Sequence, residues 1–506
     1  MWRRLLSVGG FTLASRVTGF VRDTLLAWTL GSGIQSDAFF VAFLFPNYFR
    51  AIFGEGTINP AFLPRYAALH ARGEHQAAAR FADAVFAWQM AAQIVLLVLA
   101  MIFMPGIIHL LAPGFAADPA QFDLTVSLAR VTFPYLILTL VAVQLSAMLN
   151  AVEKFWAAAA WSNLLNLSMI ATLVAWRWFP DAAYAAAWGV LLGGVAQLVF
   201  ILRAGAREGL WLKLSWPRWT PQIKEFFIAF GAVTFGAASV VIAPFIDTIL
   251  ASYLASGSRT ALYYADRINQ LPLGVLGIAL GTVLLPQMST LLAKGDHAGS
   301  HAAQNKAAAA SLLLTLPFAA VFIVIPGTIM RAVFAHGAFD VEAATLAATA
   351  LAAYGFGLPA MALVRIVAST FYARHDTATP AWATVIAIVS NIVLKMIFVW
   401  GFGWGLAGIA LGTALGAWIN VGILTWMGRS RALLAIERAF VGALPPVLAA
   451  AIAAGGGAWA GATLAAPLMV GPMSDVAALL GAMVVSIAAY GAVVVMFRGK
   501  LPLLSR

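Results

Sequence analysis

Ionisable residues stand inside long apolar stretches of this sequence: Arg16, Arg22, Asp23, Asp37, Arg50, Glu55, Arg130, Asp247, Asp266, Arg267, Arg365 and Lys395. At mid-membrane depth one such charge costs about 2.5–3.5 kcal/mol. Arg16, Arg22, Arg50 and Arg267 facing lipid would together cost roughly 10–14 kcal/mol, comparable to the stability of a whole protein. They must pair or line water. A guanidinium presents a planar fork of donors that matches phosphate oxygens, so a cluster of arginines at this depth points to an anionic ligand. The competing reading is structural pairing, Arg22 with a carboxylate or Arg267 with Glu55, because Asp23, Asp37, Glu55 and Asp266 roughly balance the four positive charges. Asp37 and Arg130 lie near the ends of their apolar stretches, where a charge costs less. Arg16 and Arg22 are six residues apart and diverge by about 120° on a straight helix. Both face one cavity if it is wide or if the helix bends near Gly19.

A second constellation is Asn391 and Lys395, spaced i, i+4 and therefore on one helix face. A lone lysine there needs a carboxylate, and Asp247 is the candidate. A packing salt bridge is the plainer reading of that pair.

Catalytic groupings are missing. His70, His75, His297, His301, His336 and His375 lie in loops without metal-ligand spacing. There is no phosphate-binding glycine loop of the Walker type and no cysteine. The expectation is a protein that is not an enzyme, with no metal and no cofactor.

The elements that carry these residues follow from composition. Of 506 residues, 62% are hydrophobic and 10% charged, and the mean hydropathy is +0.92. A soluble domain has roughly 25% charged residues. A soluble enzyme, a disordered scaffold and a nucleic-acid-binding domain are thereby excluded. The fold class expected is an all-α polytopic membrane protein. Apolar stretches predict about 14 transmembrane helices, near 5–30, 37–64, 84–111, 124–150, 157–178, 183–203, 225–252, 261–289, 307–330, 345–372, 381–401, 405–427, 440–462 and 475–497. The N-terminal stretch reads as an uncleaved first span.

Lysine and arginine crowd alternate loops, including Arg65, Arg72, Arg80, Lys154, Arg203, Arg207, Lys294, Arg374, Arg429 and Arg498, whereas the opposite loops hold Arg177, Arg259 and Arg331. This bias predicts both termini in the cytoplasm. It also accounts for the net charge of +11 without a nucleic-acid partner.

The chain repeats itself. Asp23-Thr-Leu-Leu-Ala-Trp-Thr-Leu-Gly-Ser-Gly33 matches Asp247-Thr-Ile-Leu-Ala-Ser-Tyr-Leu-Ala-Ser-Gly257, an offset of 224 residues. The repeat unit holds six helices, an even number, so the two copies run in parallel. The expected organisation is an N-terminal lobe over 1–203 (helices one to six), an amphipathic linker over 204–224 on the cytoplasmic surface, and a C-terminal lobe over 225–428 (helices seven to twelve). Helices thirteen and fourteen, over 429–506, have no counterpart. The linker carries Trp211, Trp216 and Trp219 among basic residues, the pattern of a segment lying on a membrane surface. The four arginines fall on helices one, two and eight, which the repeat lets meet across a cavity between the lobes. Glycines and prolines inside spans, notably Pro46, Pro60, Pro244 and the run Gly274 to Gly281, are candidate bends.

Taken together, Ser15-Arg-Val-Thr-Gly-Phe-Val-Arg-Asp23, Ser36-Asp-Ala-Phe-Phe40, Phe49-Arg-Ala-Ile-Phe-Gly-Glu-Gly56, Tyr263-Tyr-Ala-Asp-Arg267 and Leu273-Gly-Val-Leu-Gly-Ile-Ala-Leu-Gly-Thr282 closely resemble the MurJ (MviN) family of lipid II flippases in the MOP transporter superfamily. The resemblance runs over essentially the whole chain. It implies a protein of the bacterial cytoplasmic (inner) membrane that moves the undecaprenyl-pyrophosphate-linked peptidoglycan precursor from inner to outer leaflet by alternating access. A flippase for another polyprenyl-linked oligosaccharide and a multidrug exporter of the same superfamily are the alternatives; a cation exporter would want acids where this chain has arginines. The resemblance implies substrate binding by Arg16, Arg22, Arg50 and Arg267, with Asp23, Asp37, Glu55 and Asp266 in supporting or gating roles. It implies a groove for the lipid tail on helices thirteen and fourteen. It also implies coupling to membrane potential or a monovalent cation, and lipid II, membrane lipids and the cell-wall synthesis and division machinery as partners. Two departures stand out. Gln270 occupies a place where relatives can carry glutamate. Lys395 occupies the place of an acidic ligand in relatives that bind sodium, near Asp247, Asn391 and Thr413, so its ammonium is expected to substitute for the ion.

Overall fold

The computed structural model describes residues 2–500, apart from the side chains of residues 2–8, 54–56, 232, 235–240, 275–282 and 500. Among the described residues every regular element is helical. The chain forms two compact units, Met1–Gly257 and Ser258–Arg506.

The first unit contains α1 (Trp2–Leu30), α2 (Ile34–Phe49), α3 (Asn59–Ala71), α4 (His75–Leu111), α5 (Pro119–Thr132), α6 (Tyr135–Ala151), α7 (Phe155–Ala160), α8 (Ser162–Val174), α9 (Ala182–Arg207) and α10 (Pro221–Ser252). The second contains α11 (Ser258–Ala293), α12 (His297–Val324), α13 (Pro326–Phe334), α14 (Val341–Tyr372), α15 (Ala378–Met396), α16 (Gly405–Ser430), α17 (Arg438–Ala465) and α18 (Pro472–Met496). Among the described residues, ten helical stretches are long and apolar enough to cross a membrane. In hydrocarbon every backbone N–H and C=O must find a partner within the chain, and the helix supplies one for each.

Sequence signals fix where these helices begin. Asp118, Asp181, Asp296 and Asp340 each accept hydrogen bonds from backbone N–H groups in the first turn of α5, α9, α12 and α14, which leaves fewer free donors at those ends. The repeat is legible in the helix starts: α2 begins at Ile34 and α11 at Ser258, the same 224-residue offset as Asp23 and Asp247. Between α2 and α3 the backbone widens into a π-helical stretch, Arg50–Ile58. The expected bends at Gly277 and Gly281 lie outside the described residues.

The segment after α9 has no regular secondary structure from Leu210 to Thr220. It is tied down at three points. The Lys213 backbone N–H donates to Asp83 Oδ1 at 2.8 Å, the Trp88 indole donates to the Arg218 carbonyl at 3.2 Å, and Lys154 pairs with Glu208 at 2.8 Å. Trp211, Trp216 and Trp219 are exposed along it. α10, which the repeat assigns to the second lobe, is held by first-unit residues: Glu225 pairs with Arg65, Thr234 with Thr57, and Ser252 with Gly114.

In the second unit α17 crosses α18 at glycines. A Cβ on Gly461 would lie 2.2 Å from the Gly481 carbonyl oxygen, so the close approach admits no larger residue. The turn between α14 and α15 is held by Asp376, which accepts from Thr379 Oγ1 at 2.6 Å and from the Thr379 backbone N–H at 2.9 Å. Those hydrogen bonds, with the Arg431 guanidinium at 3.3 Å, hold the Asp376 carboxyl below the ordinary carboxylate pKa.

Candidate functional site

α1 presents its polar side to α8. Arg22 and Asp23 are both buried there, Asp23 completely. The Arg22 guanidinium donates from Nε (3.0 Å) and Nη2 (2.6 Å) to Asp23 Oδ1, and from Nη1 to Asn166 Oδ1 at 2.9 Å. Asn166 in turn donates to the Ser15 carbonyl at 3.1 Å and to Thr18 Oγ1 at 3.2 Å. Asn163, one turn earlier on α8, donates to the Phe11 carbonyl at 3.3 Å. Asn166 and Asn163 are hydrogen-bond partners of α1 that charge-based reading passes over. Two asparagines spaced i, i+3 in an apolar helix were the available signal, since they share a face that must find partners.

Arg16, six residues before Arg22 on α1, is exposed. Arg50 is half-buried, donates from Nη2 to Asn47 Oδ1 at 3.1 Å, and opens the π-helical stretch. Within that stretch Thr57 donates to the Ile52 carbonyl five residues back, at 2.6 Å. The side chain of Glu55 lies outside the described residues.

Asp37 is buried on the first turn of α2, and its Oδ2 accepts the Gly257 backbone N–H at 2.8 Å. Ser32 Oγ donates to the Gly257 carbonyl at 3.1 Å. Gly257 has φ +91°, a left-handed conformation that favours glycine, and a Cβ there would meet Ser32 Oγ at 2.5 Å. Asp37 thus satisfies the backbone at the last residue of the first unit.

In the second unit Arg267 is half-buried on α11, with its guanidinium carbon 5.7 Å from the centre of the Tyr263 ring, one turn earlier. Asp266 accepts from the Gln270 side-chain amide. The glutamine at the departure from the family pattern is therefore a donor to the neighbouring acid.

Lys395 is completely buried on α15, with Asn391 buried one turn before it. Both sit over glycines of α16. A Cβ on Gly412 would lie 2.4 Å from Lys395 Cγ, and one on Gly416 would lie 2.8 Å from Asn391 Cβ. Immediately after Lys395 the helix widens into a second π-helical stretch, Ile397–Gly401. Thr413 Oγ1 donates to its own helix at the Ile409 carbonyl, 3.3 Å away. Asp247 is half-buried on α10, in the first unit. Among the described residues no group of three or more His, Cys, Asp and Glu side chains is placed to hold a metal ion.

Three comparisons bear on this arrangement. A family model described as lipid II flippase MurJ matches residues 26–476. A probable lipid II flippase MurJ of Rhizobium meliloti (strain 1021) is 39% identical over 402 residues, covering 78% of this chain and 74% of the relative. Among solved structures, a lipid II flippase MurJ in an inward closed conformation superposes with a TM-score of 0.80 at 23% identity, over 97% of this chain and 98% of that one. A MATE-family multidrug transporter of the MOP superfamily in an inward-facing conformation superposes with a TM-score of 0.64 at 18% identity, over 83% and 95% of the two chains. These two structures establish the shared fold. The extent of the family match and the identity to the Rhizobium relative place the chain in the lipid II flippase MurJ family.

Proposed function

We propose that this protein is a multi-pass flippase of the bacterial inner membrane that carries lipid II from the inner to the outer leaflet. The observation that carries this reading is the family match across residues 26–476. The chain is a transporter and not an enzyme. Its task is physical: a charged pyrophosphate and its sugars must cross hydrocarbon that disfavours any ion.

The chemistry assigned to the arginines rests on their type and their depth in the sequence. Arg16, Arg22, Arg50 and Arg267 supply forked donors to the pyrophosphate oxygens. Asp23 orients Arg22, and Asp266 sits beside Arg267. Asp37 holds the backbone where the first unit ends, a gating role that a hydrogen bond to a left-handed glycine suits. Glu55 completes the set by its position in the sequence. Because Arg22 already donates to Asp23, the ligand competes with a carboxylate for part of its fork, and binding loosens that pair. A ligand shifts the two states of a transporter only by the difference in its affinity for them. Exchange of Arg22 between Asp23 and pyrophosphate is one source of such a difference.

The polyprenyl tail remains in lipid along α17 and α18. What supports this is an apolar hollow of about 450 Å³ between those helices, lined by Leu464, Leu468, Leu480, Val484 and Val485 beside the glycine crossing. Coupling runs through membrane potential or a monovalent cation. At the Lys395 position the buried ammonium takes the place of a bound cation, with Asn391 and Thr413 of the same unit; Asp247 belongs to this reading by its place in the sequence. Glycines opposite Lys395 and Asn391, and the π-helical stretch that follows, support a built position there. Engagement with cell-wall synthesis and division proteins belongs to the same reading.

A multidrug exporter is the less favoured alternative, because its fold is shared but a cationic drug gains nothing from arginines. The test is replacement of a cell's own flippase by this protein. Support of growth, with lipid II reaching the outer leaflet, is expected; lipid II accumulating inside would refute the assignment.

A further inference from the structure

A groove on α16 belongs to none of the positions assigned above. It is an open-sided hollow of about 690 Å³, within the size range of ligand sites, and its lining comes from one face of the helix: Trp418, Gly422, Thr425, Trp426, Arg429 and Ser430. The lining is graded. Trp418 and Trp426 make an apolar wall, while Thr425, Arg429 and Ser430 place two hydroxyls and a guanidinium at the end nearest the basic loop that also carries Arg431.

Three details make this a built groove rather than a gap. The Trp418 ring is fixed by its indole N–H, which donates to the Phe356 carbonyl on α14 at 3.0 Å. Gly422 forms the floor, and a Cβ there would meet nothing within 4 Å, so the space above it is open. Trp426 is 70% exposed and stands at the rim. No ion pair engages the Arg429 guanidinium among the described residues, although Asp376 lies near enough to pair with Arg431.

The dimensions select the occupant. Trp418 and Arg429 are eleven residues apart, which at 1.5 Å per residue is about 16 Å of helix. One leaflet of hydrocarbon is about 15 Å deep, half of a core about 30 Å thick. An amphiphile with its head at Arg429 and its chain along Gly422 toward Trp418 therefore spans a single leaflet. Basic side chains at the interface attract anionic lipid headgroups, and the planar fork of one guanidinium matches two oxygens of a phosphodiester, while the Ser430 hydroxyl donates to the Met427 carbonyl at 3.0 Å.

We propose that this groove is a docking site for an anionic phospholipid of the surrounding leaflet, with its phosphate on Arg429 and an acyl chain over Gly422 between Trp418 and Trp426.

The test is thermal unfolding of the purified full chain in detergent, with phosphatidylglycerol or phosphatidylcholine of the same acyl chains added. Phosphatidylglycerol is expected to raise the unfolding temperature more than phosphatidylcholine. Arg429→Gln is expected to remove at least half of that difference, and Arg429→Lys to keep most of it. Gly422→Leu, which fills the floor at an open helical position, is expected to reduce the rise from both lipids. Arg207→Gln, an exposed cation on α9, serves as the control and is expected to leave the difference intact. The proposal is overturned if phosphatidylglycerol has no advantage in the parent, or if Arg429→Gln loses no more of it than Arg207→Gln. It is also overturned if undecaprenyl pyrophosphate, and not phosphatidylglycerol, gives the Arg429-dependent rise, because the groove would then serve the transported lipid.

Discussion

Arg22 holds the carboxylate of the next residue in the chain, Asp23, with Nη2 2.6 Å and Nε 3.0 Å from the same oxygen, in the buried face between α1 and α8. Neighbours in sequence rarely face one another on a helix, and here the long arginine side chain folds back to reach. The pair has two jobs to separate: balancing a buried charge and presenting a fork to a ligand. Arg22→Ala leaves Asp23 buried without that partner, a loss of about 3–5 kcal/mol when a buried ion pair is broken. Arg22→Met with Asp23→Asn removes both charges and is expected to recover most of that stability without restoring flipping. Thermal unfolding beside a flipping assay checks it. A double variant that is stable and flips normally would make the pair purely structural.

The Asp37–Gly257 contact predicts a graded series. Asp37→Asn keeps an oxygen acceptor for the Gly257 N–H and is expected to be mild. Asp37→Ala leaves that buried donor unsatisfied and is expected to cost about 1–3 kcal/mol. Gly257→Ala is expected to be at least as harmful, because it forces a side chain into a left-handed backbone and onto Ser32. Thermal unfolding of the three variants gives the order; an Asp37→Ala protein as stable as Asp37→Asn would remove the contact from the account.

Lys395 and Gly412 predict the outcome of overpacking. Gly412→Ala places a methyl 2.4 Å from Lys395 Cγ, and enlarging a packed interior typically costs about 1–3 kcal/mol. Lys395→Ala opens space and is expected to suppress that penalty in the double variant. Sodium bears on the charge itself: the parent is expected to show no sodium-dependent shift in unfolding temperature. A sodium-dependent shift in the parent that persists in Lys395→Ala contradicts the surrogate-cation reading.

Asp376 predicts an acid limb. Its folded-state pKa is lowered, chiefly by the Thr379 side-chain and backbone hydrogen bonds. The carboxylate therefore stabilises the fold above the unfolded-state pKa near 3.8, and that contribution disappears as pH falls through the lower folded value. Asp376→Asn is expected to flatten the fall in unfolding temperature between neutral pH and pH 3 relative to the parent. Identical profiles would assign the acid sensitivity elsewhere.

Much of the fold was written in apolar periodicity and length. The expected spans fall largely on helical residues, of which ten stretches among the described residues are long and apolar enough to cross a membrane, and the Asp23/Asp247 repeat anticipated where α2 and α11 begin. What length could not convey was local widening. The π-helical stretches at Arg50–Ile58 and Ile397–Gly401 depend on where a hydrogen bond skips a residue, which hydropathy does not encode. Nor did charge counting reveal Asn166, because an amide adds no charge yet accepts from Arg22 Nη1 at 2.9 Å. Arg22 shows the limit of reading one residue at a time. Its depth in an apolar stretch announced that it needs a partner, and the ligand and Asp23 both qualified; geometry shows that Asp23 holds it in the structure described. The α16 groove gave little signal, since tryptophan and glycine are ordinary residues in a membrane helix and Arg429 counted only toward the charge bias of the loops.

The leaflet that lipid II occupies in cells depleted of their own flippase tests the central claim most directly. With the parent chain expressed, lipid II is expected to appear in the outer leaflet. With Arg267→Ala, whose half-buried guanidinium rests beside Tyr263, it is expected to stay inside while the protein remains folded and inserted. Outer-leaflet lipid II at parental levels with Arg267→Ala would contradict the role given to the arginines, and its absence with the parent chain would contradict the flippase itself.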